Sequence, residues 1–174
     1  MKILFLDIDS VLNCSKYGED LYYGAEYAME ELIEANIPLC VPCLKALLYI
    51  FREVPDLKVV WSTDWRLYDK PTYNGYGNPR LWLEKQSWMK GRIIGNTPKK
   101  MSSTHYEEIR MWFSYDKEDN NIDVEKFAIL DDYDSYGMST YFKNDFFKCS
   151  HESGLTMEIA KEVVKHLKGE DNAV

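Results

Sequence analysis

The sequence lacks three features that would narrow its function at once: a long hydrophobic run, an excess of basic residues and a cysteine-rich pattern. No apolar stretch approaches the roughly 18 residues that a membrane-spanning helix needs, and the chain opens directly on a short apolar run rather than on a signal peptide. We therefore expect a cytoplasmic protein with no membrane partner. The net charge of −8 at pH 7 offers no broad basic surface for nucleic acid, but a local basic groove remains compatible with it.

Cysteine is scarce, with four residues in 174. In a chain expected in the cytoplasm, these cysteines are interpreted as reduced thiols. Cys40 and Cys43 form a Cys-x-x-Cys pair, but no second pair or neighbouring histidine completes a zinc site, and Pro42 suits the start of a helix. A metal or redox role for this pair is therefore the less favoured interpretation.

The chain does contain enough apolar sequence for one core. Its residues are 45% hydrophobic and 29% charged, which is ordinary for a globular protein. The length suits one well-filled core, so we expect residues 1–174 to form a single domain. Short apolar strands alternate with amphipathic helices, which predicts an α/β fold with a mainly parallel sheet.

The pattern predicts the positions of most elements. Apolar runs predict strands at 3–6, 57–61, 126–130 and 146–149. Apolar residues at helical spacing predict helices at 25–35, from 42 to the proline at 55, from 104 to about 113 with a capping box, and at 156–167. The aromatic-rich segment at about 67–96 is interpreted as a long ordered loop or small insertion, either a binding lid or a cover for the edge of the core. The acidic segment 116–123 is interpreted as an exposed turn.

Two aspartates, Asp7 and Asp9, follow the first predicted strand directly. In an extended segment their side chains point the same way, just beyond the carboxyl end of a strand, where open α/β sheets bind ligands. Such a pair can hold a hard cation or divide nucleophilic and acid–base roles. A solvated turn is the alternative interpretation, since aspartate and serine are common in turns.

The strand predicted at 126–130 repeats this arrangement, because Asp131 and Asp132 follow it directly. Two buried strands that each end in carboxylates would bring four acids to one edge of the sheet. A folded protein tolerates this concentration of charge chiefly by binding a cation. The repetition therefore favours a metal site over a turn.

The order of these motifs resembles the haloacid dehalogenase (HAD) superfamily of phosphotransferases that use an aspartate nucleophile. Its first, second and fourth motifs are similar to Leu6-Asp7-Ile8-Asp9-Ser10-Val11, Val59-Val60-Trp61-Ser62 and Leu130-Asp131-Asp132. Within it, the chain looks most like the small HAD domains of Swiss-army-knife RNA-repair proteins, through Ser62-Thr63-Asp64-Trp65-Arg66, Thr97-Pro98, Glu108-Ile109 and Gly154-Leu155-Thr156. The resemblance implies a Rossmann-like three-layer α/β/α fold with at most a small cap.

The resemblance also implies roles for the acids. Asp7 would attack phosphorus to give an aspartyl-phosphate, and Asp9 would protonate the leaving oxygen and then activate water. Mg²⁺ would be held by Asp7, the backbone carbonyl of Asp9 and Asp131, with Asp132 close or acting through water. Oxygen ligands and a phosphate substrate favour magnesium over zinc.

The resemblance places substrate-binding residues at the end of the second motif and directly after it. Ser62, followed by Thr63, would bind a phosphoryl oxygen; a buried structural serine is the alternative. Arg66 could grip a second phosphate or a carboxylate, or it could pair with a local acid such as Asp64.

The third motif of the superfamily, a lysine or arginine that neutralises the phosphoryl group, has no unique match. Lys99 and Lys100 are the leading candidates, and Lys100 is slightly preferred because it lies nearer the following helix. His105 and Arg110 are the alternatives.

The function expected from these motifs is that of a magnesium-dependent phosphatase acting on a nucleotide, a polynucleotide end or a small phosphorylated metabolite. The alternative is an inactive HAD-fold binding module that works through protein or nucleic-acid contacts. Because both Asp7 and Asp9 are present, and a scaffold has no need for two costly adjacent acids, the enzyme is favoured.

Overall fold

The computed structural model describes residues 1–15, 32, 34–73, 75–116, 122–134 and 137–170. The predicted helix at 25–35 and the predicted acidic turn at 116–123 lie largely outside these residues. The strands are β1 (Lys2–Leu6), β2 (Lys58–Trp61), β3 (Thr72–Tyr73), β4 (Tyr76–Gly77), β5 (Ile93–Asn96), β6 (Lys126–Asp131) and β7 (Phe146–Lys148). The helices are α1 (Val41–Glu53), α2 (Pro79–Lys85), α3 (His105–Met111), α4 (Met138–Tyr141) and α5 (Met157–Lys168).

Five of the strands form one parallel sheet in the order β5-β2-β1-β6-β7. After Lys2, the central strand β1 is apolar and buried to its end, because both of its faces are covered. Leu4 and Leu6 face one core cluster, and Ile3 and Phe5 face the other. The predicted three-layer α/β fold with a parallel sheet is confirmed.

Helices α1 and α5 cover one face of the sheet and pack against Leu4 and Leu6 of β1. Helix α1 has Pro42 in its first turn and ends before Pro55. Helix α5 begins at Thr156, whose hydroxyl accepts a hydrogen bond from the Ile159 N–H, and ends at Gly169, where φ is 76°. Both helices lie where the sequence predicted them.

Helix α3 covers the opposite face, with Ile109 and Trp112 packed against Phe5. It begins with the predicted capping box, in which Thr104 and Glu107 satisfy each other's backbone N–H groups. Its α-helical part ends at Met111, and the chain continues as a wider π turn over Trp112–Asp116. The predicted helix therefore exists, but its last turn is wound differently.

The aromatic-rich segment has more structure than the sequence indicated. It contains the short β3–β4 hairpin, helix α2 and the edge strand β5. Asn78 begins helix α2 by accepting the Leu81 N–H, and Trp82 and Trp88 pack against the core. Strand β5 was not predicted, because it offers only two apolar residues before Gly95 and Asn96. These tryptophans cover the edge of the core.

The order of the strands locates the binding edge. From β1 the chain adds β2 and β5 on one side and then returns to add β6 and β7 on the other. The carboxyl ends of β1 and its neighbours therefore border the position where the topology reverses, which is where open α/β sheets bind ligands.

None of the helices in the described part of the chain combines the length and apolar character needed to cross a membrane.

Candidate active site

Three polar residues stand level at the carboxyl edge of the sheet. The register pairs Leu6 of β1 with Trp61 of β2 on one side and with Leu130 of β6 on the other. The next residues along these strands are Asp7, Ser62 and Asp131. The backbone continues the ladder, since the Asp7 N–H donates to the Leu130 carbonyl and the Ser62 N–H to the Leu6 carbonyl. The structure thus brings together one predicted residue from each of the three strand ends.

Asp7 and Asp131 are buried, at 3% and 0% exposure. Burial, followed by the charge of Asp131, raises the pKa of Asp7 well above its usual range. One oxygen of Asp7 accepts the Ile8 N–H at 2.7 Å. Two carboxylates at this depth stay ionised together only if positive charge compensates them, so the pair fits a cation site.

His105, the first residue of α3, joins these two acids. Its Nδ1 lies 2.6 Å from Asp131 Oδ2, and potential ligand atoms of Asp7, His105 and Asp131 all lie within 4.8 Å of one another. Burial lowers the pKa of His105, but its hydrogen bond to Asp131 and the charges of Asp131, Asp7 and Glu108 outweigh burial and raise the pKa to about 9. His105 therefore supplies positive charge directly beside both carboxylates.

The ion pair of His105 predicts how the stability of the metal-free protein depends on pH. Because the folded pKa, about 9, lies above the unfolded value of about 6.5, this contribution is complete below about pH 6.5 and disappears as the pH rises through 9. In excess chelator, urea unfolding should show the wild type losing up to about 3 kcal/mol more than His105→Gln between pH 6.5 and 9.5. Parallel profiles for the two proteins would contradict the assignment.

Asp9 lies at the surface of the site, where two side chains orient it. Its Oδ1 accepts a hydrogen bond from Asn13 Nδ2 at 2.8 Å and another from Trp65 Nε1 at 3.1 Å. Both bonds reach the same oxygen, which leaves Oδ2 as the oxygen able to exchange a proton with a ligand. Asp9 does not belong to the buried Asp7, His105 and Asp131 cluster, so the two aspartates of the first motif have different environments.

Ser62 carries an unsatisfied polar atom. Among the residues that the structure describes, Ser62 Oγ is the one buried side-chain nitrogen or oxygen without a hydrogen-bond partner. Leaving a buried hydroxyl unpaired costs about 1–3 kcal/mol. Thr63, also buried, accepts the Trp65 N–H and begins the short 3-10 turn Asp64–Leu67. An unpaired hydroxyl level with two buried carboxylates is suited to a ligand oxygen.

Arg66 is buried, and its guanidinium is held by neighbouring protein groups. It donates to the carbonyls of Thr63 and Thr97, and its Nη2 lies 2.5 Å from Glu108 Oε2. Asp64 lies farther away, at 3.7 Å. Of the alternatives considered for Arg66, the structure therefore shows a pairing with protein acids, chiefly Glu108.

The two lysines considered for the third motif point to different places. Lys99 Nζ lies 3.1 Å from Asp64 Oδ1 and 3.1 Å from Glu108 Oε1. Lys100 Nζ lies over the Tyr115 ring, 6.0 Å from its centre, and lines a surface pocket with Arg110. The structure thus brings Lys99 into the Glu108 network and does not bring Lys100 to Asp7 or Asp131.

Asp132 is half-buried beside the loop that follows Asp9. Burial and the charge of Asp131 raise its pKa, while a hydrogen bond with the Ser10 side chain acts in the opposite direction. Ser10 also contacts His151, with 2.6 Å between Oγ and Nδ1. Ser10 has a left-handed φ of 58°, a conformation that favours glycine. The Asn13 side chain supports it by accepting the Ser10 N–H.

Comparison with known families agrees with this arrangement. A family model described as the HAD domain in Swiss Army Knife RNA repair proteins matches residues 3–160. The chain belongs to this family. A search of curated proteins and a search of solved structures each find no match. Membership suggests a hydrolase of the phosphatase type, and HAD domains generally use a metal, for which Asp7 and Asp131 form a possible acidic site.

Two residues of this HAD domain were not assigned by sequence reasoning. Glu108 was noted only as part of the resemblance, yet it is fully buried between Arg66 and Lys99. His105 was one of four candidates for the cation of the third motif. A signal was present, because His105 and Glu108 are three residues apart on one helix and so share a face. Polar residues on the buried face of α3 indicate contact with other polar groups.

Proposed function

We propose that the protein is a magnesium-dependent phosphatase that hydrolyses a phosphomonoester through an aspartyl-phosphate on Asp7. The observation that carries this proposal is the unpaired Ser62 hydroxyl, which stands level with two buried carboxylates at the topological switch. A phosphoryl group needs a nucleophile, a hydrogen-bond donor and compensating positive charge within one small volume. These side chains can supply the first two, and a cation beside them can supply the third.

Asp7 and Asp9 have the environments that the two proposed roles require. An oxygen of Asp7 attacks phosphorus, the ester P–O bond breaks, and the leaving oxygen takes a proton from Asp9. Water then attacks phosphorus, gives a proton back to Asp9 and releases phosphate and the free Asp7 carboxylate. Asp7 is buried and fixed by the Ile8 N–H, whereas Asp9 is exposed and held through one oxygen by Trp65 and Asn13, as proton exchange requires.

The buried acids fit Mg²⁺ as the cation. We propose that Asp7, Asp131 and the Asp9 backbone carbonyl hold it, with Asp132 close by. Carboxylate and carbonyl oxygens are the ligands that magnesium prefers, and magnesium supplies charge stabilisation for phosphoryl oxygens when it is bound. The raised pKa of Asp7 agrees with this assignment, because such a carboxyl gains most from a neighbouring cation.

We further propose that His105 supplies the protein's own positive charge in place of a third-motif lysine. It contacts Asp131 at 2.6 Å, whereas Lys100 contacts the Tyr115 ring. In this proposal Lys99 does not contact the phosphoryl group and has a structural role instead. Together with Arg66 it neutralises Glu108, which holds the loop after Ser62 against α3.

Phosphorylated nucleic-acid ends are the first substrates to test, because the matching family is described by RNA repair. The net charge of −8 keeps mononucleotides and small phosphorylated metabolites in the comparison, since an acidic surface repels a polyanion. Turnover should be measured on a chromogenic phosphomonoester and on a matched panel of 3′- and 5′-phosphorylated oligonucleotides, nucleotides and sugar phosphates. If no member were hydrolysed in magnesium, the enzyme proposal would fail and the binding-module alternative would replace it.

Ser62→Ala should separate activity from stability. Removal of an unpaired buried hydroxyl should leave the free energy of unfolding unchanged or raise it by about 1 kcal/mol. Loss of a donor to the phosphoryl group should lower kcat/KM about 10²- to 10³-fold. Urea unfolding and steady-state kinetics on the same preparation measure both effects.

Thr97→Val is the matched control for this substitution. Thr97 is buried at the end of the next strand, and its hydroxyl donates to the Trp61 carbonyl at 3.3 Å. Removing a satisfied hydroxyl should lower stability and leave kcat/KM near the wild-type value. The Ser62 assignment would be wrong if Ser62→Ala behaved like Thr97→Val.

A further inference from the structure

Three cysteines converge behind residues 9–14, the loop that carries Asp9 and is called the active-site loop below. Potential ligand atoms of Cys14, Cys40 and Cys43 all lie within 4.8 Å of one another, and 3.5 Å separates the sulfurs of Cys14 and Cys40. All three residues are buried, at 8%, 1% and 0% exposure, and none forms a disulfide. The sequence showed only the Cys-x-x-Cys pair. The fold adds a third thiol from a distant part of the chain.

Backbone contacts hold this thiol cluster (Cys14, Cys40 and Cys43) in place. The Cys40 N–H donates to the Leu12 carbonyl at 2.7 Å, and the Cys14 N–H donates to the Cys40 sulfur at 3.2 Å. Cys40 immediately precedes α1 and Cys43 lies in its first turn, whereas Cys14 ends the loop that begins at Asp9. The cluster therefore joins the start of α1 to the active-site loop.

The turn at Gly154 closes the cluster from another side. A Cβ at this position would lie 2.7 Å from the Cys43 sulfur and 2.8 Å from the Val11 carbonyl oxygen, and the backbone has a left-handed φ of 63°. Only glycine fits such a position without strain. The Cys43 sulfur also contacts the Ser153 carbonyl oxygen at 3.6 Å. The sulfurs thus occupy a small space bounded by three chain segments.

The distances suit a metal ion held by sulfur. Two thiolates bound to one Zn²⁺ at about 2.3 Å each in tetrahedral geometry lie about 3.8 Å apart, close to the 3.5 Å between the sulfurs of Cys14 and Cys40. Thiolates select soft cations such as Zn²⁺ and Cu⁺.

We propose that Cys14, Cys40 and Cys43 bind one thiophilic d10 cation, Zn²⁺ or Cu⁺, as a structural centre that fastens the active-site loop to α1. A disulfide would use only two of these three sulfurs, whereas one metal ion uses all of them. Binding replaces thiol protons by the metal and releases the protons to solvent. Because the sulfurs are buried, the ion enters as the chain folds around it. This site shares no ligand with the proposed magnesium site.

Refolding of the metal-free, reduced full chain from urea in increasing concentrations of Co²⁺ tests the proposal, because the buried site is then open to the ion while the chain folds. In excess Mg²⁺, Co²⁺ should produce a near-ultraviolet band of thiolate-to-metal charge transfer that saturates at one equivalent and disappears on addition of Zn²⁺. Competition with the coloured Cu⁺–bicinchoninate complex forms the second arm and tells which cation binds more tightly. Saturation with the preferred ion should raise the melting temperature by about 5 °C or more.

Single alanine substitutions locate the ligands. Cys14→Ala, Cys40→Ala and Cys43→Ala should each lose most of the charge-transfer band. Cys149→Ala, which removes a buried thiol outside the cluster, should keep it. Asp131→Asn should also keep the band. The substitution alters only the proposed magnesium site, and a cobalt ion bound there by oxygen atoms would contribute no thiolate-to-metal transition.

A measurement on the wild type alone covers the case in which these variants fail to fold. The wild type is partly unfolded with and without metal and treated with an alkylating reagent, and peptide mass spectrometry maps the modified thiols. Metal should protect Cys14, Cys40 and Cys43 from alkylation but should not protect Cys149. The proposal is overturned if the reduced wild type shows no thiolate band and no Cu⁺ binding. It is overturned as well if metal protects no thiol, or if Cys149 proves to be a ligand.

Discussion

Asp7→Asn should lower kcat on any substrate of this protein by about 10⁴-fold or more, because an amide cannot form the aspartyl-phosphate. The substitution keeps the shape of the side chain, so the loss should fall on the chemical step and leave substrate affinity largely intact. Single-turnover kinetics with the best substrate from the panel, together with direct binding of that substrate, measure the two quantities separately.

The same substitution should not destabilise the metal-free protein. The folded pKa of Asp7 lies above its unfolded value because the carboxyl is buried beside Asp131. The stability it contributes is therefore present at low pH and is lost as the pH rises through the folded pKa. Asparagine stays neutral at every pH and avoids this loss.

Asp56→Asn is the matched control for Asp7→Asn, since Asp56 is an exposed acid in the turn before β2. It should retain full activity, which also tests whether a contaminating phosphatase accounts for the signal. An Asp7→Asn protein that is folded and as active as Asp56→Asn would remove Asp7 from the mechanism.

Asp131→Asn should raise the Mg²⁺ concentration needed for half-maximal activity by at least about 100-fold, because it removes one of two buried anionic ligands. In the wild type, excess chelator should abolish turnover and added magnesium should restore it. Isothermal titration with Mg²⁺ alone should show one site in the wild type and greatly weakened binding in the variant.

Asp134→Asn provides the comparison for this substitution, since Asp134 lies in the same strand-end loop. It is exposed, and its carboxylate accepts the Ser139 N–H instead of contacting Asp7 or Asp131. Its magnesium requirement should match that of the wild type. Full activity of the wild type in excess chelator, or an unchanged requirement in Asp131→Asn, would contradict the magnesium assignment.

The convergence of Asp7, Ser62 and Asp131 could be predicted from the sequence, because it follows from local rules. Each residue comes directly after a continuous apolar run, such runs form the inner strands of a parallel sheet, and parallel strands end at one edge. The prediction therefore needed only the strand positions. The structure adds the register, which pairs Leu6 with both Trp61 and Leu130 and so places the three polar residues side by side.

The partners of the charged residues could not be predicted in the same way. His105 reaches Asp131, and Glu108 reaches Arg66, only because α3 packs across the sheet at one particular position. That position depends on how Ile109 and Trp112 fill the space around Phe5, which is a property of tertiary packing. The sequence offered Lys99, Lys100, His105 and Arg110 for the third-motif cation and slightly favoured Lys100, because local pattern does not show which side chain packs beside the two acids.

The thiol cluster was missed for the same reason. Cys14 and Cys40 are 26 residues apart in sequence and meet only because the segment after the active-site loop hydrogen-bonds to the start of α1. Strand β5 was missed because its pairing with β2 compensates for a weak local pattern. Local sequence thus predicted the strands that carry the site, and tertiary contacts decided what surrounds it.

The most direct test of the central claim is to trap the phosphorylated residue. The wild type is mixed with its best substrate in magnesium, quenched in acid within one turnover, and reduced with borohydride, which converts an aspartyl-phosphate to homoserine. Peptide mass spectrometry should then find homoserine at position 7 and at no other aspartate, and none in Asp7→Asn. Turnover by the wild type without any trapped homoserine, or homoserine at another position, would contradict the account.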